Sequence, residues 1–181
     1  IQYVESQDPI PYEKYMENVS KSIKKTCENR HMEMPFIILE PGRSIVAPAG
    51  ITLYTVGSIK KIPDVRTYVA VDGGMGDNPR YALYQAEYES IIANKAAQEP
   101  STTVTIAGKC CESGDLIQEN TALQPTITGD ILAVFATGAY NYSMASNYNR
   151  IPRPATVMIR DGRPRTIIHR ETLDDLTRND V

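Results

Sequence analysis

The sequence predicts a mainly β protein, with one α/β unit at the N-terminus followed by an antiparallel β-domain. Two observations lead there. A helical apolar repeat runs into a short all-apolar segment before residue 40. After about residue 50, β-rich runs alternate with turn residues. A chain of 181 residues, 41% of them hydrophobic, is long enough for one domain with a real core.

Tyr12, Tyr15, Met16, Val19, Ile23 and Cys27 recur at steps of three and four, with charged residues between them. That spacing predicts an amphipathic helix. The stretch PFIILEPGR follows, and Phe36 to Leu39 reads as a strand buried on both faces. Pro41-Gly42 stops it. A helix leading into a doubly buried strand is the repeating unit of a parallel α/β fold, and one such unit is present. Such a strand needs neighbours on both edges. With Ile1 as the first residue, the expectation is the C-terminal part of a longer protein.

The β-rich runs cover 51–62, 65–71, 88–94, 102–108, 131–136 and 155–160. Val65, Thr67, Val69 and Val71 alternate with Arg66, Tyr68 and Ala70, a period of two. Asp161-Gly162 joins the last run to 166–170 and predicts a hairpin. Residues 171–177 read as a short terminal helix, and the chain carries no internal repeat.

A net charge of −3 gives no electrostatic footprint for nucleic acid. No apolar run is long enough to span a membrane, and no signal peptide is visible. Three cysteines without framework spacing point to a reduced, cytoplasmic protein.

Four stretches carry candidate chemistry. Glu40, Pro41, Gly42 and Arg43 form a turn at a strand end, where α/β barrels keep their sites. The plain alternative is a strand-stop turn with a surface salt bridge. In VDGGMGDNPRYALYQA, Gly73, Gly74 and Gly76 follow a strand and suggest a weak phosphate cradle. Arg80 and Tyr84, four apart, share a helix face; they clamp a carboxylate or merely pack on each other. In KCCESGD, adjacent cysteines make a strained disulfide, and Cys27, His31 and His169 supply no matched metal-ligand pair. There the alternatives are a proton-donating thiol beside Glu112 or a buried pair of small side chains. Last, 137–154 is rich in tyrosine and asparagine, too polar for core, and reads as a site-bearing or self-packed loop.

Taken together, EPGRSIVAPAG, VDGGMGDNPRYALY, AGKCCESGD and GDILAVFATGAYNYSMASNYNRIPRP resemble, in identity and order, the C-terminal half of the diaminopimelate decarboxylase family. This is the alanine-racemase-like branch of the pyridoxal-phosphate decarboxylases. The resemblance covers the chain from about Phe36 to its end. It implies that residues 1–50 are the last part of a (β/α)8 barrel that binds pyridoxal phosphate. Residues 51–181 would form a Greek-key-like C-terminal β-domain. It implies that Glu40 pairs with the cofactor's pyridinium nitrogen. Pro41, Gly42 and Arg43 would lie at the cofactor phosphate, with Tyr140 at the cofactor. It further implies that Arg43, Arg80, Tyr84, Glu112 and Tyr140 contact meso-diaminopimelate, and that Cys111 is the proton donor. Cys110 is then structural. The expected partners are the N-terminal barrel and a second subunit sharing the active site, with no metal. The family's Schiff-base lysine precedes this segment, so the chain alone is expected to be inactive. His31 and His169 receive no role. Other readings are an inert dimerising β-domain, or a relative acting on ornithine, arginine or carboxynorspermidine. Arg80, Tyr84 and Glu112 together favour a substrate with a distal carboxylate and a distal amine.

Overall fold

The computed structural model describes residues 1–4 and 7–181. The apolar repeat forms helix α1 (Tyr12–Asn29). His31 closes it in the left-handed region (φ 52°). Met32 N–H donates to the Cys27 carbonyl at 2.9 Å and His31 N–H to the Glu28 carbonyl at 3.3 Å. That pair of bonds is a Schellman cap, and it gives His31 a structural reason to be where it is. The helix's apolar face is largely uncovered: Cys27 is its buried residue, while Tyr12 and Tyr15 are more than half exposed.

Phe36–Leu39 corrects an expectation. The segment belongs to no ladder, and Phe36 is 92% and Ile38 74% exposed. A strand needs backbone partners, and no other segment among the described residues pairs with this one.

The rest is a six-stranded sheet ordered β3-β6-β1-β2-β4-β5. Its strands are β1 (Thr52–Ile62), β2 (Arg66–Val71), β3 (Ser90–Ile92), β4 (Thr102–Ala107), β5 (Leu116–Leu123) and β6 (Ile131–Val134). The pairing is antiparallel except between β2 and β4, which run parallel. The crossover through helix α3 (Arg80–Tyr84) and β3 returns the chain in the original direction. The polar sequence of β5, LIQENTAL, hides its strand character. Asn120 adopts a positive φ of 53°, and the β4–β5 register shifts between Val104 and Ile106, so simple alternation is broken.

The buried glutamine Gln118 of β5 and Gln124 just beyond it also have a task. The sheet curls until its edge strands meet, and these amides bridge them. Ser90 Oγ donates to Gln118 Oε1 at 3.3 Å, and Ile92 N–H to Gln124 Oε1 at 2.8 Å. Edge groups that a ladder would satisfy are thus satisfied by side chains. Inside lie Tyr54, Val56, Val69, Ile92, Ile106, Ile117, Leu132 and Val134, all nearly inaccessible.

Outside the main sheet, β7 (Thr156–Arg160) and β8 (Arg163–Ile168) form the expected hairpin. Asp161 and Gly162 both have positive φ, 51° and 71°, as a two-residue type I′ turn requires. Helix α5 (Leu173–Thr177) follows, with a capping box between Thr172 and Asp175.

Candidate functional site

The sequence-selected residues assemble into two groups. The first is built by backbone crowding. Helix α2 (Arg43–Val46) follows Gly42, and its end is pressed against residues 137–138. A Cβ on Gly138 would lie 2.1 Å from the Val46 carbonyl, and one on Gly50 would lie 2.2 Å from the Gly138 Cα. Only glycine permits that approach. Thr137 N–H donates to Gly50 O and Gly138 N–H to Ala47 O, each at 3.0 Å. The result sets the Arg43 guanidinium over the Tyr140 ring, 4.6 Å from its centroid.

Arg80 and Tyr84 reach the same neighbourhood through a buried amide pair. Helix α4 (Asn141–Met144) begins beside Tyr140, and Asn141 Nδ2 donates to Asn78 Oδ1 at 2.9 Å. Asn78 precedes α3, so this bond ties the arginine-bearing helix to the tyrosine-bearing loop. Arg80 lies 5.2 Å from the Tyr84 ring. Burial raises the Tyr88 phenol, and the charges of Arg80 and then Arg43 oppose that rise. Both guanidinium charges therefore act on one phenol, whose ring meets Tyr3 edge-on at 5.5 Å.

Arg43 Nη1 and Arg80 Nε are buried and have no hydrogen-bond partner among the described residues. Buried N–H groups of a cation left unsatisfied are donors prepared for an anion. A carboxylate or phosphate fits them. Glu40 and Pro41 do not converge on this group: both lie exposed in the segment that lacks strand partners.

The second group is the thiol loop. Asp115 is buried and organises it. Cys110 N–H donates to Asp115 Oδ2 at 2.6 Å, and Met75 N–H to Oδ1 at 2.5 Å. Gly74 N–H donates to Asp77 Oδ1 at 2.9 Å. The glycine-rich turn is therefore not a phosphate cradle, because the protein's own carboxylates occupy these amides. Burial raises the Asp77 carboxyl from its ordinary value, against the Tyr54 hydroxyl that donates to it at 2.5 Å.

Cys110 is half-buried, and burial followed by the Asp115 charge pushes its thiol up to about 11. That fits the structural part expected of it. Cys111 is exposed, and its N–H donates to Asn149 Oδ1 at 2.9 Å. Glu112 is exposed and held below the ordinary carboxylate value by the Gly114 amide, then by Ser113 and Tyr148. Tyr148 donates to it at 3.3 Å. So Cys111 and Glu112 are brought together with Tyr148 and Asn149, apart from the interactions that join Arg43, Tyr140 and Arg80.

Sequence reasoning missed Asp115, Asn78 and Asn141 as organising residues. Asp115 closes the stretch KCCESGD, but nothing in its position announces burial. Tyr148 and Asn149 lie in the polar stretch that was singled out.

A sheet domain carrying buried unsatisfied guanidiniums and an exposed thiol–carboxylate loop has the chemistry of an anion- and proton-handling site. The family model described as pyridoxal-dependent decarboxylase, C-terminal sheet domain, covers residues 4–138, and the chain belongs to that family. Within it, the chain is similar to diaminopimelate decarboxylases. It is 50% identical to that of Bacillus subtilis (strain 168) and 51% identical to that of Halalkalibacterium halodurans. Each alignment covers 100% of this chain and 41% of the relative, so the chain spans about two fifths of their length. The crystal structure of diaminopimelate decarboxylase from M. jannaschii with L-lysine superposes with a TM-score of 0.86 at 37% identity, covering 99% of this chain and 40% of that one. No helix among the described residues is long and apolar enough to cross a membrane.

Proposed function

We propose that this chain is the C-terminal portion of a pyridoxal-phosphate-dependent diaminopimelate decarboxylase, which converts meso-diaminopimelate to L-lysine and carbon dioxide. The observation that carries the reading is the pair of buried, unsatisfied guanidinium N–H groups of Arg43 and Arg80. Two such donors near one phenol suit an anionic cofactor and a dicarboxylic substrate better than a monoacid amine donor. The 1–50 segment is the barrel end of the protein and 51–181 its β-domain.

When bound, pyridoxal phosphate supplies an electron sink for the bonding pair left on the substrate carbon when carbon dioxide departs. The roles of this chain follow. Arg43 and the Gly42 backbone bind the cofactor phosphate beside Tyr140, and Arg43 also meets substrate carboxylate. Glu40, exposed in this chain by itself, would pair with the cofactor's ring nitrogen once the rest of the barrel holds its segment in place. Arg80 and Tyr84 hold the distal carboxylate by charge-assisted hydrogen bonds. Glu112, kept ionised by the Gly114 amide, attracts the distal ammonium. Cys111 Sγ delivers a proton to the carbon vacated by carbon dioxide, since a positioned thiol can act as a general acid. The exposed Cys111–Glu112 pair serves the site of a second subunit, giving a two-fold dimer with composite sites. The uncovered apolar residues of α1 and Phe36–Leu39 pack against the rest of the barrel.

The test is recombination. This chain is mixed with the N-terminal three fifths of the protein and pyridoxal phosphate, and lysine release and visible absorption are followed. Neither half is expected to act alone, and the mixture is expected to turn over. Two folded halves that bind each other and yield no lysine would refute the reading and favour an inert β-domain.

A further inference from the structure

We propose that Asp115 is the positioning residue that presents Cys111 and Glu112 and locks their loop to the turn leading into the Arg80 helix. The inference rests on the reading of Cys111 as the proton donor.

Asp115 is 3% exposed, yet it accepts from the amides on both sides of it in space. One is the Cys110 N–H, immediately before Cys111. The other is the Met75 N–H, in the turn that continues through Asp77 and Asn78 to α3. Its own backbone is engaged as well. Asp115 N–H donates to the Glu112 carbonyl at 3.1 Å, and Gly108 N–H donates to the Asp115 carbonyl at 2.8 Å. Lys109 N–H donates to the Gly73 carbonyl at 2.9 Å, a second tie between loop and turn.

The space around the carboxylate is cut to fit. A Cβ on Gly108 would lie 2.2 Å from Asp115 Oδ2, and one on Gly74 would lie 2.4 Å from Oδ1. Both neighbours must lack a side chain for the carboxylate to sit there. Glu112 N–H donates to the Cys110 carbonyl at 2.8 Å, so the residues from Cys110 to Asp115 form a short closed loop. Its base is the Asp115 side chain and its exposed tip carries the Cys111 thiol and the Glu112 carboxylate. A charged acceptor binding two backbone donors is roughly twice as strong as a neutral one, and it fixes direction as well as distance. No titratable partner is needed for this, because Asp115 acts only through the amides that it orients.

The experiment uses the complete polypeptide with pyridoxal phosphate. Asp115→Asn preserves size but turns one acceptor oxygen into a donor, which opposes one of the two amides. The expected result is a kcat lowered by roughly tenfold, the scale of one charge-assisted hydrogen bond. The solvent deuterium isotope effect on kcat should rise, because proton delivery becomes slower. Cofactor content should stay near the parent, and melting temperature should fall by no more than a few degrees, roughly the scale of one charged hydrogen bond. An unchanged kcat and isotope effect would overturn the proposal. So would a loss of kcat that merely tracks lost cofactor, which is what a structural role alone gives. Should Asp115→Asn fail to fold, Gly108→Ala, which displaces the same carboxylate, is measured in the same way and judged by the same outcomes. Cys111→Ala is run in parallel. If it leaves kcat unchanged, the proton-donor reading fails and the proposal with it. If it slows turnover while Asp115→Asn does not, the Asp115 inference alone fails.

Discussion

The Arg43 guanidinium lies over the Tyr140 ring at 4.6 Å, and the Tyr140 hydroxyl fills the space where Gly42 would carry a side chain. A Cβ on Gly42 would come within 2.3 Å of that hydroxyl. One glycine thus sets whether an arginine and a tyrosine far apart in sequence can stack. Gly42→Ala should displace the half-exposed Tyr140 side chain at little cost in stability, within about 0.5 kcal/mol, as is usual for surface changes. In the complete enzyme it should weaken cofactor binding several-fold. Titration of the apoenzyme with pyridoxal phosphate measures this, and unchanged affinity would remove Gly42 from the phosphate site.

Arg80 should separate substrate from cofactor. Arg80→Ala removes the buried Nε donor and is expected to raise KM for diaminopimelate by roughly ten- to a hundredfold, the scale of a lost charged hydrogen bond. Cofactor affinity should change little. Arg80→Lys should recover only part of the loss, since a point charge does not replace a fork of donors. Equal losses of substrate and cofactor affinity would show that the assigned role is wrong.

Phe36–Leu39 offers a test of assembly. Ile38→Lys alters a side chain that is 74% exposed, so unfolding of this chain alone should be unaffected within about 0.5 kcal/mol. Binding to the N-terminal portion should fall sharply, because the charge would enter a buried sheet. Calorimetry on the two halves reads both quantities. Normal binding by the variant would mean that this segment is not a barrel strand.

Glu171 fastens the C-terminal hairpin to the loop before it. It accepts from Arg153 Nη2 at 2.5 Å, Arg153 Nε at 2.8 Å, Arg153 N–H at 2.7 Å and Asn147 Nδ2 at 2.6 Å. The Arg153 side chain, then its amide, hold the Glu171 carboxyl down at about 2. A depressed folded value means that the stabilisation is full above the ordinary carboxylate range and is lost as pH falls towards 2. Glu171→Gln should therefore cost about 1–3 kcal/mol at pH 7. The gap between parent and variant should close on acidification through that window. Urea midpoints at pH 7 and pH 3 test the sign, and a gap that widens in acid would contradict it.

How far the sequence is legible varies with the range of the interactions. The α1 period, the Asp161-Gly162 hairpin and the alternation of β2 are local, and each forms as its residues predict. Phe36–Leu39 carries an equally clear apolar signal and forms no strand, because a ladder depends on partners that its own residues cannot supply. The strand β5 has the opposite history. Its glutamines look like surface residues, and they become buried only because the sheet curls and brings its edges together.

The candidate site divides in the same way. The sequence by itself determined the chemical types: two arginines, several tyrosines, and a thiol adjacent to a carboxylate. Their resemblance in order to one family followed from identity alone. Tertiary structure decided which of these groups meet. It joined Arg43 to Tyr140 across glycine contacts and α3 to α4 through Asn78 and Asn141. It also turned the glycine-rich stretch from a phosphate cradle into the seat of Asp115. The physical reason is that hydrogen bonds between distant backbone groups and close approaches at glycine depend on where the chain returns in space. No local pattern of residues encodes that return.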